Sequence, residues 1–218
     1  MLTIYGVYRS RASRNIWLAE EIGLPFDHMP VIQVYRVADP EAPDAPMHTR
    51  SPAFLSVNPN GRIPAMKDGE VVLSESLAIN LYLAKKYGGD LGPKDIAEDG
   101  LMAQWALWAM TEAEPHTIQI LYNMVGNPTG EKDPAKARTA IEALRAPFAV
   151  LDAALAKDRW LVGGRFTVAD INTAEVIRYA TPAKELFEAA PHVKAWLNRC
   201  HARPAFERMM AAREKEAA

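Results

Sequence analysis

The first third of the chain alternates between the apolar patterns of strands and of helices. Leu2 to Val7 is a short apolar run rich in β-forming residues, whereas Ser13 to Ile22 carries apolar residues at helical spacing until Gly23 ends it. Phe26 to Val34 has strand character again. This pattern predicts a βαβ unit whose two strands lie parallel and are joined by a right-handed crossover.

A proline-rich stretch separates this unit from a second group of elements. Tyr35 to Arg50 contains three prolines and is predicted to be a loop. Short apolar runs at residues 63–67 and 70–73 then flank an Asp-Gly dipeptide, which predicts an antiparallel hairpin. Ser76 to Tyr87 carries the apolar residues of a buried helix. The predicted order is therefore βαβ, loop, ββα.

After Gly92 every apolar pattern is helical, which indicates a change of domain. Pro115 must kink or end the first long helix, and Pro147 is expected to bend a later one that begins at an Asp-Pro pair. Thr167 and Asp170 have the spacing of a reciprocal capping box at a helix start. The remainder of the chain is therefore predicted to be an all-helical bundle.

Composition narrows the possible functions. The chain has 218 residues, of which 49% are hydrophobic and 24% charged, and a net charge of -2, which disfavours a protein that binds nucleic acid through its phosphates. Cys200 is the only cysteine, so an intrachain disulfide and a four-cysteine zinc site are excluded, and the five histidines lack metal-ligand spacing. Because no secretion signal or apolar membrane span is visible, we expect a cytoplasmic protein with no metal.

The first cluster that could carry chemistry lies where the first strand meets the first helix. Ser10, Ser13 and Arg14 stand there within five residues. A helix N-terminus carries about half a positive charge and unsatisfied N–H donors, so a thiolate placed there is stabilised and its pKa lowered. The alternative is that Ser10 or Ser13 only caps the helix.

The second cluster is the loop that leads into the hairpin, from Asn58 to Pro64. Proline at a strand start removes a ladder donor and can form a cis bond, so the backbone of Ile63 would be available to an extended peptide ligand. An ordinary turn before an edge strand is the alternative.

The third cluster is Ser74-Glu75-Ser76, between the hairpin and the following helix. An acidic side chain beside a helix N-terminus offers a partner for an ammonium group together with donors for a carboxylate, the two parts of an amino-acid head group. The alternative is a serine cap with a glutamate that complements the helix dipole.

The order and spacing of these clusters resemble the soluble (cytosolic) glutathione transferases, of the bacterial type with a serine at the sulfur-activating position. The resemblance covers nearly the whole chain. It is carried by four segments: Ser10-x-x-Ser13-Arg14, Asn58-Pro-x-Gly-x-Ile63-Pro64, Leu73-Ser-Glu75-Ser76-x-Ala78-Ile79 and Gly164-x-Phe-Thr167-Val-Ala-Asp170-Ile171.

The resemblance implies an α/β thioredoxin-like N-terminal domain followed by an all-α helical domain. The implied limits are residues 1–87 for the glutathione-binding domain, 88–94 for a linker and 95–218 for the helical domain that contributes the electrophile pocket. As a member of this family the protein would be a cytoplasmic homodimer that serves detoxification.

The resemblance also implies a role for each site residue. Ser10 would donate a hydrogen bond to the glutathione sulfur and keep it as thiolate. Ile63, before a cis Pro64, would pair its backbone with the cysteinyl unit, Glu75 and Ser76 would hold the γ-glutamyl head group, and Arg62 would lie near the glycine carboxylate. The second substrate would occupy a mostly apolar pocket between Ser10 and the helical domain, lined by Tyr8, Trp108, Glu112 and His116.

The predicted function is that of an enzyme, a glutathione S-transferase that conjugates the glutathione thiolate to a small hydrophobic electrophile by substitution or addition. The alternatives are a glutathione-dependent thiol-disulfide or peroxide reductase and a non-catalytic protein that binds glutathione or apolar ligands.

Overall fold

The structure, a computed structural model, describes residues 1–126, 128 and 130–216. The chain forms two compact units. One contains Met1–Gly89 together with the chain from Pro204 onward, and the other is Asp90–Arg203. The predicted fold class is confirmed, because a four-stranded mixed sheet with helices is followed by a mostly helical region.

The first unit is built on a sheet with the strand order β2-β1-β3-β4. The strands are β1 (Leu2–Tyr5), β2 (Phe26–Met29), β3 (Ala65–Asp68) and β4 (Val71–Ser74). Strand β1 pairs parallel with β2 and antiparallel with β3, and β3 and β4 form the antiparallel hairpin. The predicted βαβ unit and hairpin are therefore confirmed.

The structure sets the limits of the predicted helices and adds short helices at residues 52–55 and 184–189 that the sequence did not predict. The α-helices of the described residues are α1 (Ala12–Ile22), α2 (Pro52–Leu55), α3 (Ser76–Tyr87), α4 (Ile96–Trp108), α5 (Glu114–Ile120), α6 (Pro134–Lys157), α7 (Val168–Ile177), α8 (Lys184–Ala189), α9 (Pro191–His201) and α10 (Pro204–Lys215). In none of them is there a stretch long and apolar enough to cross a bilayer.

Two predicted strands are shorter in the structure than the apolar runs that indicated them. Strand β2 ends at Met29, because Pro30 has no N–H to continue the ladder. Strand β1 ends at Tyr5, because the chain turns at Gly6, which has a φ of 143°. Helix α1 ends as predicted at Gly23, which adopts the left-handed conformation with a φ of 69°.

In the second unit the expected break at Pro115 takes the form of a widened turn. Residues Ala109–Ala113 are π-helical, and α5 begins at Glu114 with Pro115 in its first turn. A proline inside a helix removes one backbone donor and crowds the preceding turn, and a π-helical turn relieves that crowding.

Helix starts in this unit also follow the sequence signals. Asp133 accepts hydrogen bonds from the N–H groups of Ala135 and Lys136 at the start of α6, and Pro147 lies inside that helix. Both halves of the predicted capping box between Thr167 and Asp170 are present at the start of α7. The capping predictions are therefore confirmed.

Helix α10 belongs to the first compact unit, whereas the sequence interpretation assigned residues 95–218 to the helical domain. The spacing of apolar residues in α10 indicates that one face of the helix is buried, but it does not indicate which element covers that face. In the structure, Phe206 of α10 packs edge-on against Trp17 of α1.

Candidate functional site

The loop between β1 and α1 places the Ser10 hydroxyl at the start of α1. The hydroxyl donates to the carbonyl of Val7 at 2.7 Å and accepts a hydrogen bond from the N–H of Ala12 at 3.0 Å. Ser10 remains partly accessible, whereas Ser13 is completely buried. Of the two serines in this cluster, Ser10 is therefore the one that can touch a ligand, and in this structure it also satisfies an N–H of the first helical turn.

Gly6 brings the first two sequence clusters together, although the sequence interpretation gave it no role. A Cβ atom added to Gly6 would lie 2.7 Å from the Cβ of Ala12, 3.5 Å from the Cβ of Ile63 and 3.7 Å from the Ser10 Oγ. The end of β1, the start of α1 and the loop before β3 thus converge at this glycine. A lone glycine inside a predicted strand, which indicates a bulge or a close approach of backbone, is the signal that could have identified it.

The loop before β3 presents the backbone of Ile63. The Ile63-Pro64 peptide bond is cis. The side chain of Asn58, which is buried, donates from Nδ2 to the carbonyl of Arg62 at 2.6 Å and so holds the loop from inside. Within the described residues the N–H and carbonyl of Ile63 have no hydrogen-bond partner, and the Arg62 side chain is exposed.

Glu75 and Ser76 form the start of α3. Glu75 has a φ of 69°, a left-handed backbone conformation that is uncommon for a residue with a Cβ. Such conformations persist where the surrounding structure imposes them, often at ligand sites. The Glu75 side chain is exposed and Ser76 is buried.

A buried polar layer links α1 to α3. The Arg14 guanidinium donates from Nη1 to the Ser76 hydroxyl at 3.1 Å, and the Asn15 Nδ2 donates to the Ser76 carbonyl at 2.8 Å. Asn80 returns a hydrogen bond from its Nδ2 to the Arg14 carbonyl at 3.1 Å. These residues are buried, so their contacts hold the helix that follows Ser10 against the helix that begins at Ser76.

Asn15 and Asn80 were missed by the sequence interpretation. Their only sequence signal is a polar residue at a helical position that is otherwise apolar, and that signal does not identify a partner 65 residues away.

Tyr8, predicted to line the electrophile pocket, lies in the loop before Ser10. Its ring meets the imidazole of His28 edge-on with centroids 5.1 Å apart, and the His28 Nε2 hydrogen-bonds to the Gly6 carbonyl at 2.7 Å. Burial raises the pKa of the Tyr8 phenol, and the carboxylates of Glu20 and Glu216 raise it further.

The other predicted pocket residues lie in the second unit, around the π-helical turn. Trp108 is half-buried and packs edge-on against Trp105, with centroids 5.2 Å apart. Glu112 is exposed and accepts a hydrogen bond from the Thr111 hydroxyl at 3.1 Å, and His116 is half-buried. In the part of the chain that the structure describes, no group of three or more His, Cys, Asp or Glu side chains is placed to hold a metal ion.

Comparison with known families matches both parts of the chain. Residues 9–86 match the N-terminal domain of glutathione S-transferases, and residues 102–204 match their C-terminal domain. Glutathione S-transferase 3 of Zea mays is 36% identical over 171 residues, which is 75% of this chain and 77% of the relative. Glutathione S-transferase GstB of Escherichia coli (strain K12) is 29% identical over 214 residues, 96% of this chain and 98% of the relative.

A solved structure with ligand bound is also similar. The theta class glutathione S-transferase from Xanthomonas axonopodis pv. citri, determined with glutathione bound, has a TM-score of 0.78 and 31% identity, and the match covers 95% of each chain.

Proposed function

The chain belongs to the glutathione S-transferase family, and on that premise we propose that Ser10 activates the glutathione thiol for conjugation to a small hydrophobic electrophile. The observation that carries the proposal is the position of Ser10, a partly accessible residue whose Oγ lies 3.0 Å from the N of Ala12 at the start of α1. An anion bound there is close to a serine O–H and to the positive end of a helix dipole.

Activation requires the Ser10 hydroxyl to change its acceptor. The hydrogen that points to the Val7 carbonyl at 2.7 Å would turn to the glutathione sulfur, while the Ala12 N–H keeps the oxygen in place. A hydrogen bond to the thiolate form lowers the pKa of the thiol, so more of the bound glutathione is ionised at neutral pH. The thiolate would then attack the electrophilic carbon: a C–S bond forms, and either a leaving group departs with its electron pair or the added carbanion takes a proton.

The remaining glutathione contacts are proposed from the same geometry. Because the backbone of Ile63, next to Pro64, has no partner among the described residues, it can pair with the cysteinyl unit. Glu75 and Ser76 would hold the γ-glutamyl ammonium and carboxylate, supported by the N-terminus of α3. Arg62, which is exposed, would meet the glycine carboxylate.

The assignment of the electrophile pocket to Tyr8, Trp108, Glu112 and His116 stays a prediction. The domain limits also stay a prediction: residues 1–87 bind glutathione, residues 88–94 form a linker, and the helical domain begins at residue 95.

We also propose that the protein is a cytoplasmic homodimer that serves detoxification. Exposed apolar side chains on α4 support the dimer: Ile96, Leu101 and Leu107 are 84%, 44% and 66% exposed. Replacing Leu107 by Asp should shift the protein from dimer to monomer in sedimentation velocity. A wild-type protein that sediments as a monomer would refute the dimer.

The experiment that tests Ser10 is an ultraviolet difference titration of glutathione into wild type and Ser10→Ala at neutral pH, followed by conjugation assays. We expect a thiolate signal that is lost in the variant and a turnover that falls by roughly ten- to a thousandfold. Thr139→Ala is the matched control, because the Thr139 hydroxyl also donates to a backbone carbonyl at 3.1 Å but lies exposed on α6.

Unchanged turnover in Ser10→Ala would refute the role of this serine. Net formation of oxidised glutathione instead of conjugates would indicate the reductase, and glutathione binding without conjugation of any electrophile in a panel would indicate a binding protein.

A further inference from the structure

Helix α10 packs along α1 and contacts it at two positions, through an aromatic pair and a hydrogen bond. The ring of Phe206 meets that of Trp17 edge-on with centroids 4.9 Å apart. Further along, the Arg208 Nε donates to the Glu20 carboxylate at 2.8 Å. These contacts hold α10 against α1, and residues at the end of α10 also contact the loop that precedes α1.

Residues at the end of α10 hydrogen-bond to Tyr8 and Arg9 in that loop. Both oxygens of the Glu216 carboxylate accept backbone hydrogen bonds, from the N–H of Tyr8 at 2.8 Å and from the N–H of Arg9 at 2.7 Å. Arg213 adds two contacts, since its guanidinium donates to the Tyr8 carbonyl and its own carbonyl accepts from the Arg9 Nε at 3.3 Å. We name these contacts of Arg213 and Glu216 with Tyr8 and Arg9 the C-terminal clamp.

The clamp acts on the segment that determines where Ser10 lies. A carboxylate that accepts from two successive N–H groups fixes the orientation of both peptide planes, and charge-assisted hydrogen bonds of this kind are the stronger ones. The Ser10 oxygen is held by the Val7 carbonyl on one side of the clamped residues and by the Ala12 N–H on the other. Without the clamp, Tyr8 and Arg9 would regain conformational freedom next to the serine.

We propose that Glu216 and Arg213 are positioning residues for the reaction, which hold the Tyr8-Arg9 backbone so that the Ser10 hydroxyl is aimed at the glutathione sulfur. The inference rests on the proposed role of Ser10 and extends it to the C-terminal end of the chain. It predicts that the clamp affects the ionisation of the bound thiol and the turnover more than it affects the affinity for glutathione.

A purely electrostatic role for Glu216 makes the opposite prediction. A carboxylate near the thiolate disfavours the thiolate, so removal of its charge alone would lower the pKa of the bound thiol. Loss of the clamp instead misplaces the Ser10 donor, which raises that pKa. The two effects therefore differ in sign.

The experiment compares Glu216→Ala and Glu216→Gln with wild type, and uses Glu214→Ala as a control because Glu214 is exposed in the last turn of α10. Hydrogen exchange of the Tyr8 and Arg9 amides reports the clamp without any ligand. Steady-state kinetics separate kcat from the KM for glutathione, and the pH dependence of kcat/KM for the electrophile, measured at saturating glutathione, gives the pKa of the bound thiol.

We expect the two amides to exchange faster in Glu216→Ala, kcat to fall by roughly ten- to a hundredfold, and the pKa of the thiol to rise, while the KM for glutathione changes little. Glu216→Gln should lie between wild type and Glu216→Ala, because its amide oxygen still accepts one hydrogen bond. Glu214→Ala should match wild type in every measurement.

Unchanged exchange at Tyr8 and Arg9 would overturn the clamp itself. Faster exchange with an unchanged kcat and pH profile, or a lower pKa of the thiol in both Glu216 variants, would overturn the positioning role. Failure of the Ser10 assignment is recognised separately, by unchanged turnover in Ser10→Ala.

Discussion

The buried guanidinium of Arg14 donates a hydrogen bond across 3.1 Å to the hydroxyl of Ser76, a residue 62 positions away in the chain, and so connects two helices. Helix α1 begins two residues after Ser10 and helix α3 begins at Ser76, and both serines are proposed glutathione contacts. The relative position of the two ends of the proposed glutathione site thus depends on a polar contact inside the first unit.

The Ser76 hydroxyl should contribute to stability as well as to binding. Ser76→Ala removes an acceptor of a buried charged donor, and we expect the free energy of unfolding in urea to fall by about 1–3 kcal/mol. Ser56→Ala, which removes an exposed hydroxyl at the end of α2, should have little effect. Equal losses in the two variants would contradict the importance of the buried contact.

Gly6 should not tolerate a side chain. In Gly6→Ala the new Cβ would lie 2.7 Å from the Cβ of Ala12, and the φ of 143° would add backbone strain. We expect a loss of about 3 kcal/mol in the free energy of unfolding. Gly69→Ala is the control, because Gly69 also has a positive φ but no atoms within 4 Å of the new Cβ, and about 1 kcal/mol is expected there. A Gly6→Ala protein as stable as Gly69→Ala would refute the steric argument.

In the second unit, Arg165 binds the Glu98 carboxylate with two hydrogen bonds, of 2.8 and 2.6 Å, and also donates to the carbonyls of Asp90 and Gly92 at 2.9 Å. The hydrogen bonds from Arg165 to the carboxylate, together with one from the N–H of Lys94 at 2.8 Å, lower the pKa of Glu98 to about 2. Because the folded pKa is below the unfolded one, the pair stabilises the fold above about pH 4.5 and this contribution is lost as the pH falls towards 2.

Arg165→Lys should therefore lower the free energy of unfolding at pH 7 and flatten its decline between pH 4.5 and pH 2, measured by urea denaturation at each pH. The matched control is Arg145→Lys, since Arg145 makes a similar two-fold contact to Glu142 on the exposed surface of α6. Exposed pairs contribute little, so no measurable change is expected in the control. Identical pH profiles for wild type and Arg165→Lys would contradict the prediction.

His201 should destabilise the fold in mild acid. Burial lowers the pKa of its imidazole to about 4, with Arg178 lowering it further and Glu175 opposing. The unfolded chain therefore binds more protons between about pH 6.5 and pH 4, and stability falls as the pH decreases through that range, by an amount on the order of 3 kcal/mol. His201→Gln should remove this loss.

The free energy of unfolding of His201→Gln must be compared with that of wild type at the same pH, because a second buried group also titrates in this range. Burial raises the pKa of Asp170 to about 6, and this carboxyl contributes a slope of the opposite sign between about pH 4 and pH 6. Its contribution is common to both proteins, so the difference between His201→Gln and wild type isolates the imidazole. A difference that does not vary with pH would refute the assignment.

Much of the fold could be predicted because its signals are local. The hairpin at β3 and β4, the end of α1 at Gly23 and the capping box of Thr167 and Asp170 each depend on residues a few positions apart. The predicted β2 was too long because its apolar run continued past Pro30, where the hydrogen-bond ladder cannot. At Pro115 the sequence predicted that the helix would kink or end, but it did not predict that the preceding turn would widen into a π-helix.

The candidate site was predictable only in part. Ser10, Ile63 and Glu75 stood in recognisable clusters, whereas the roles of Gly6, Asn80 and Glu216 depend on residues far away in the chain. The pattern of α10 indicates a buried face, but many surfaces could cover it. Sequence rules that relate residues a few positions apart do not show which of these surfaces covers the helix.

The amino-acid sequence by itself determined the element order, the helix limits set by caps and glycines, and the residue types offered to glutathione, because these follow from backbone conformation and side-chain spacing over a few residues. Tertiary structure alone decided that α10 packs on α1, that Glu216 binds the N–H groups of Tyr8 and Arg9, and that Arg14 reaches Ser76. Those contacts form only when the apolar faces of distant segments are buried together, since the burial brings their polar groups into hydrogen-bonding distance.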